Sequence, residues 1–78
     1  MNRRRRARLQ EANSLLSKAL EIVDDAREEE QENVDNCPEN LQHSDRYYAM
    51  EDAVSELDEA TDKIREASEH IDRACDSG

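Results

Sequence analysis

The sequence predicts an all-α fold, an antiparallel two-helix hairpin of coiled-coil type that pairs with a second copy into a four-helix bundle. Apolar residues recur at alternating steps of three and four on both sides of one break. The break surrounds Pro38, which is the one proline in the 78 residues. Only 35% of the residues are hydrophobic, and Phe and Trp are absent. These features predict one small domain whose helices need a partner.

The first helix is expected to extend to about residue 34, and a basic arm at residues 1–8 merges into it. Leu15 and Ile22 widen the apolar stripe on one flank and Leu20 on the other, so these three are the expected subunit contacts. Glu30 takes the next inward position, which ends the stripe. The main three-four ladder comprises Leu9, Ala12, Leu16, Ala19, Val23 and Ala26.

A loop is predicted at residues 35–43 and a second helix at residues 44–76. Pro38 disfavours helical geometry in Cys37, and Ser44 is a good residue for capping a helix N-terminus. The inward positions of the second helix are Tyr47, Met50, Val54, Leu57, Thr61, Ile64, Ser68, Ile71 and Cys75. Small residues alternate with large ones along this ladder, which permits close approach of the two helices.

Folding the chain about residue 39 sets the expected register. Leu16 then faces Ile64, and Val23 faces Leu57. Glu30 is expected near Tyr47, where a tyrosine hydroxyl or Arg46 would satisfy its half-buried carboxylate.

A chain of this length hides only about 60% of its unfolded surface, so a scaffold of this kind usually needs a disulfide, a metal or a second subunit. Cys37 lies in the predicted loop and Cys75 near the far end of the second helix, too far apart for an internal disulfide. Free thiols are the simplest interpretation, and an intermolecular bridge is the alternative. A homodimer is therefore the expected source of additional stability.

Charge is distributed unevenly along the chain. Five arginines precede residue 9, and the rest of the chain carries six basic residues against 21 acids, a net charge of −15. The arm, comprising Arg3, Arg4, Arg5, Arg6 and Arg8, has three interpretations. Asp72, Asp76 and the terminal carboxylate of the antiparallel helix could neutralise it; alternatively it could contact nucleic-acid phosphates or bind a protein partner.

The acidic body also has two interpretations. Acidic helix faces can simply be solvated, which keeps a protein soluble. They can also imitate the charge of a nucleic acid and occupy the binding channel of a basic protein. The solvated face is the simpler of the two interpretations.

The sequence offers no pattern for catalysis, for a cofactor or for a metal. His43 and His70 lack the Glu-x-x-His spacing of di-iron bundles, and Gly78 is the one glycine, which excludes a glycine-rich phosphate loop. We therefore expect a protein that is not an enzyme. No run approaches the roughly 20 apolar residues of a membrane span, and no apolar core follows the first arginines, so a cytoplasmic protein is expected.

Two segments resemble a known group of proteins. They are Arg5-x-x-Arg8-Leu9-x-Glu11-Ala12, and Pro38-Glu39-Asn40-Leu41-Gln42 followed by Arg46-Tyr47-x-x-Met50-Glu51. The chain resembles short helical-hairpin proteins of unassigned function encoded by prophages and mobile elements of Firmicutes. The resemblance implies a bacterial host cell and a protein that acts by protein–protein binding, for example on a host or defence protein. A nucleic-acid-linked role, through the arm or through mimicry by the acidic faces, is the alternative.

Overall fold

The chain folds into two long antiparallel helices joined by a short loop, which confirms the predicted all-α hairpin. A computed structural model describes residues 1–77. Helix α1 spans Arg3–Asp35, a single 3-10 turn spans Glu39–Leu41, and helix α2 spans Asp45–Asp76. The molecule measures 59 × 16 × 13 Å, which is the shape of two helices lying side by side.

Helix α1 begins with a side-chain cap. The Oδ1 atom of Asn2 accepts a hydrogen bond from the backbone N–H of Arg5 at 2.8 Å. This cap satisfies one of the free N–H groups at the helix start. The first turn contains cations and no acid, so the helix dipole does not favour this end, and the Asn2 cap provides local stabilisation. The basic residues are thus helical from Arg3 onward.

Helix α2 is capped by Ser44, as the sequence predicts, and begins one residue later at Asp45. Ser44 caps it by accepting a hydrogen bond from the N–H of Tyr47 at 3.2 Å. The Ser44 hydroxyl also donates to the carbonyl oxygen of Leu41 at 2.8 Å, which ties the cap to the 3-10 turn. Asp45 supplies a carboxylate in the first turn, where the helix dipole favours it.

The inward side of α2 follows the predicted ladder throughout. All nine ladder residues from Tyr47 to Cys75 are buried or half-buried. Within residues 1–77, Val54, at 8% exposure, is the one apolar residue that the hairpin buries. Thr61, two turns further along α2, is also buried, and its hydroxyl donates to the backbone carbonyl of Asp58 at 2.8 Å. The core of a single hairpin is therefore very small.

The inward side of α1 departs from the ladder in its second half. Ala26 is exposed, and Arg27 is half-buried in its place. An undistorted α-helix repeats every 3.6 residues, whereas the heptad pattern repeats every 3.5, so the contact line shifts by one position over several turns. From Leu9 onward the half-buried residues of α1 are Leu9, Ala12, Asn13, Leu16, Ala19, Leu20, Val23, Asp24, Arg27, Glu30, Gln31 and Val34.

The hydrogen bonds between the helices fix their register. The Arg27–Asp58 and Asn13–Asp72 bonds are centred at residues 42–43, and the Ser68–Asn13 bond is centred at residues 40–41. The hairpin therefore turns slightly later in the chain than residue 39.

Candidate interaction surfaces

The outer side of α1 carries the two most exposed large apolar residues in the described part of the chain. Leu15 is 65% exposed and Ile22 is 60% exposed. They are seven residues apart, close to two turns, so they lie on the same side of the helix about 10 Å from each other. We call Leu15 and Ile22 the apolar patch. The sequence assigned both to a subunit contact, and the hairpin itself leaves them in water.

Leu20, the third expected subunit contact, lies elsewhere. It is half-buried at the edge of the hairpin, where it lines a shallow groove together with Leu16 and Ile64. Leu16 and Ile64 thus lie close together, as the register predicted. The groove is the continuation of the contact between α1 and α2, and Leu20 contributes mainly to that contact.

The basic arm forms the first two turns of α1. Arg3, Arg4, Arg5 and Arg8 are exposed, and Arg6 is half-buried with an Nε atom that has no hydrogen-bond partner. Within residues 1–77 none of the five guanidinium groups forms a salt bridge.

The carboxylates expected to neutralise the arm do not do so. Asp72 instead accepts a hydrogen bond from the Nδ2 atom of Asn13 at 2.8 Å, and Asp76 is exposed without an ion pair. Neutralisation of the arm by these two residues was therefore a wrong prediction. The terminal carboxylate belongs to Gly78 and lies outside the described residues. The arm consequently presents cationic charge to solvent.

A polar layer joins the two helices one turn from the arm. Besides its bond to Asp72, Asn13 accepts a hydrogen bond from the Ser68 hydroxyl through Oδ1 at 3.1 Å. Asn13 was not among the predicted site residues, because the 3.5-residue ladder placed Ala12 inward. A 3.6-residue period along α1 would have indicated Asn13 opposite the small residue Ser68.

A second polar layer lies nearer the middle of the hairpin. Arg27 donates to the Asp58 carboxylate at 2.8 Å, and Arg65 lies 3.8 Å from Asp24 and 3.7 Å from Asp62. These groups surround an open cleft, in which Asp58, Asp62 and Arg65 are exposed and Asp24 and Arg27 are half-buried. Exposed ion pairs contribute about 0–1 kcal/mol each, so this layer mainly fixes which residues face each other.

The loop end of the hairpin is aromatic and acidic. The hydroxyl of Tyr48 lies 3.0 Å from Nδ1 of His43, and the rings of Tyr47 and Tyr48 meet edge to face. Partial burial raises the pKa of Tyr47 above its ordinary value, and the negative charge and hydrogen bond of Glu51 act in the same direction.

The partner predicted for Glu30 is wrong. Within residues 1–77 Glu30 has no hydrogen bond or ion pair to Arg46 or to a tyrosine. The hydroxyl of Tyr48 lies within hydrogen-bond distance of Nδ1 of His43 instead. Glu30 remains partly exposed to water, which solvates its charge.

The structure also bears on metal sites and membranes. Residues 1–77 contain no cluster of three His, Cys, Asp or Glu side chains that could hold a metal ion. Cys37 and Cys75 are free and half-buried. None of the helices among these residues combines the length and apolar character needed to cross a membrane.

Comparison with known proteins gave no relative. No protein-family model, no curated protein and no solved structure matches the chain. The surfaces described above are therefore the main basis for proposing a function.

Proposed function

We propose that this chain is an interaction protein that acts by binding, and that its working form is a homodimer arranged as a four-helix bundle. One observation carries the proposal. Val54 is the one apolar residue that the described hairpin buries, whereas Leu15 and Ile22 stay in water. A small scaffold needs a larger core than this to be stable alone, and covering the apolar patch would supply it.

The outer faces of the dimer are the proposed contact surface for a protein partner. They carry the arginines of the arm at one end and many acids along the body. Complementary charge speeds encounter and selects partners, so we infer a partner with its own uneven charge distribution. The resemblance described above supports a bacterial cell as the setting, with a host or defence protein as the target.

Sedimentation equilibrium tests the dimer. We expect a mass near 18 kDa at micromolar concentration, twice the 9.0 kDa of the chain. Circular dichroism at the same concentrations should show that helicity and thermal midpoint rise with concentration, since pairing stabilises the folded state by mass action. A well-folded monomer with a sharp, concentration-independent melting transition would contradict the proposal.

A second candidate function is contact with nucleic-acid phosphates through the arm. The observation in its favour is that the five guanidinium groups have no carboxylate partner within residues 1–77. Four or five phosphate contacts of this kind would give weak binding that falls steeply as salt increases.

An electrophoretic shift at low salt tests this candidate. If the arm contacts phosphates, replacing Arg3, Arg4, Arg5 and Arg6 with alanine should abolish a shift that the natural chain produces. Replacing Arg65 and Arg73, which lie on α2, with alanine is the matched control and should leave the shift in place. If the natural chain produces no shift, phosphate contact is excluded. Competition with nucleic acid for a basic protein would then indicate mimicry by the acidic faces.

A further inference from the structure

Four exposed residues of α1 repeat at intervals of seven. They are Arg8, Leu15, Ile22 and Glu29, and the apolar patch forms the middle of the set. We call these four residues the heptad column. A straight helix drifts by about 20° per heptad, so the column covers about 60° of one side of α1. Its order along the helix is cation, apolar, apolar, anion.

The column is symmetric about the middle of α1. The midpoint between Leu15 and Ile22 falls at residues 18–19, and the midpoint of Arg3–Asp35 is residue 19. A two-fold axis that passes through this point perpendicular to the helix relates two copies of α1. It brings each position of one copy level with the position of the other copy that lies equally far from the midpoint, in the opposite half of the helix. A contact of this kind uses the same patch on both subunits and needs that patch to be self-complementary.

Resting on the proposed function as a dimer, we propose that a second copy docks on the heptad column with its α1 antiparallel. Leu15 then packs against the partner's Ile22, and Arg8 meets the partner's Glu29, each contact occurring twice. Arg8 and Glu29 are exposed and form no ion pair within residues 1–77, so both are available.

Charge selects this orientation over the parallel one. In a parallel dimer the two arms lie together, so that five arginines of one subunit lie beside five of the other. The two copies of residues 28–32 also face each other, and each copy includes four glutamates. Like charges placed together repel, and unlike charges attract at the same distances. In the antiparallel dimer each arm lies along residues 28–32 of the other subunit, the glutamate-rich segment.

The positions flanking the column allow the two helices to approach. Ala12, Ala19 and Ala26 repeat on one flank, and Lys18 and Asp25 lie on the other. The two-fold axis places the alanine flank of one helix against the alanine flank of the other, with Ala19 beside the partner's Ala19. The distance between packed helices depends on the side chains at the contact, and methyl groups keep it short. The alanine flank therefore permits close packing of the two α1 helices.

The two natural cysteines provide the test. Cys37 lies just beyond the loop end of α1, and a Cys75→Ser variant leaves it as the one thiol for a nitroxide label. In the antiparallel dimer the two labels lie at opposite ends of the dimer. The rise per residue of an α-helix puts them about 50 Å from each other. In a parallel dimer they stand less than about 25 Å apart, since packed helices lie about 8–10 Å from each other. Pulsed electron resonance measures this distance.

The same samples are examined by sedimentation, which separates the two proposals. A dimer with a label distance near 50 Å supports the antiparallel contact. A dimer with a short distance overturns the orientation and leaves the proposed function intact. A monomer overturns both.

A charge exchange supplies a second readout. Arg8→Glu and Glu29→Arg should each weaken the dimer about tenfold in Kd, because each change places like charges together twice. The double variant should return Kd to within about threefold of the natural chain. Arg3→Glu, which makes the same charge change on the opposite side of α1, should alter Kd by less than about threefold. Equal losses for Arg8→Glu and Arg3→Glu, with no recovery in the double variant, would overturn the contact.

Discussion

Replacing Leu15 and Ile22 together with serine is expected to raise the Kd of the dimer at least a hundredfold. Both side chains are more than half exposed in the hairpin, and a two-fold contact covers four of them. Burying a leucine or isoleucine fully contributes about 1.5–3 kcal/mol. A hundredfold change corresponds to about 2.7 kcal/mol, which the loss of four partly exposed side chains readily exceeds. Sedimentation at micromolar concentration measures the effect.

A matched control is Leu41→Ser. Leu41 is 48% exposed, yet it lies in the 3-10 turn away from the apolar patch. It should leave Kd within about threefold. If Leu41→Ser dissociated the dimer as strongly as the double change, the subunit contact would lie at the loop end instead.

The second large effect is expected in the contact between the helices. Changing Leu57 or Ile64 to alanine should lower the free energy of unfolding by about 2–5 kcal/mol, since deleting a packed aliphatic side chain removes its contacts and leaves a cavity. Ile64 is half-buried and lines one groove with Leu16 and Leu20. Urea unfolding followed by circular dichroism measures the loss.

Glu66→Ala provides the comparison for this prediction. Glu66 is exposed and lies 3.5 Å from Lys63 in a solvent-exposed ion pair. Its replacement should change the free energy of unfolding by no more than about 0.5 kcal/mol. Similar losses for Ile64→Ala and Glu66→Ala would mean that α2 presents a different side to α1.

The sequence was sufficient to predict the helices and the inward side of α2. The break at Pro38 and the capping residue Ser44 are local signals. In the structure α1 ends before Pro38 and Ser44 caps α2. The inward side of α1 was predicted less well beyond Val23, because the heptad spacing assumes a supercoiled helix with 3.5 residues per turn. Arg27 in place of Ala26 is the result of that difference.

The charged contacts could not be predicted from the sequence. Long side chains reach several partners at similar cost, so a shift of a few residues in register changes which pairs form. Asp72 was expected beside the arm, and it bonds to Asn13 instead. Among the candidate interface residues, Leu15 and Ile22 were predicted from spacing alone, and the structure leaves both exposed. Arg8 and Glu29 became candidates only once the exposure of each side chain was known.

The small core of the single hairpin, with Val54 as its one buried apolar residue among those described, has a consequence for the amount of working protein in a cell. When folding depends on assembly, the folded fraction increases with the total amount of chain. If the proposed dimer is the folded form, copies made in small number would stay unpaired and open to proteases. The amount of folded dimer would therefore increase more steeply than the rate of synthesis. A modest rise in expression would then carry the protein across a threshold, from mostly unpaired to mostly paired chains.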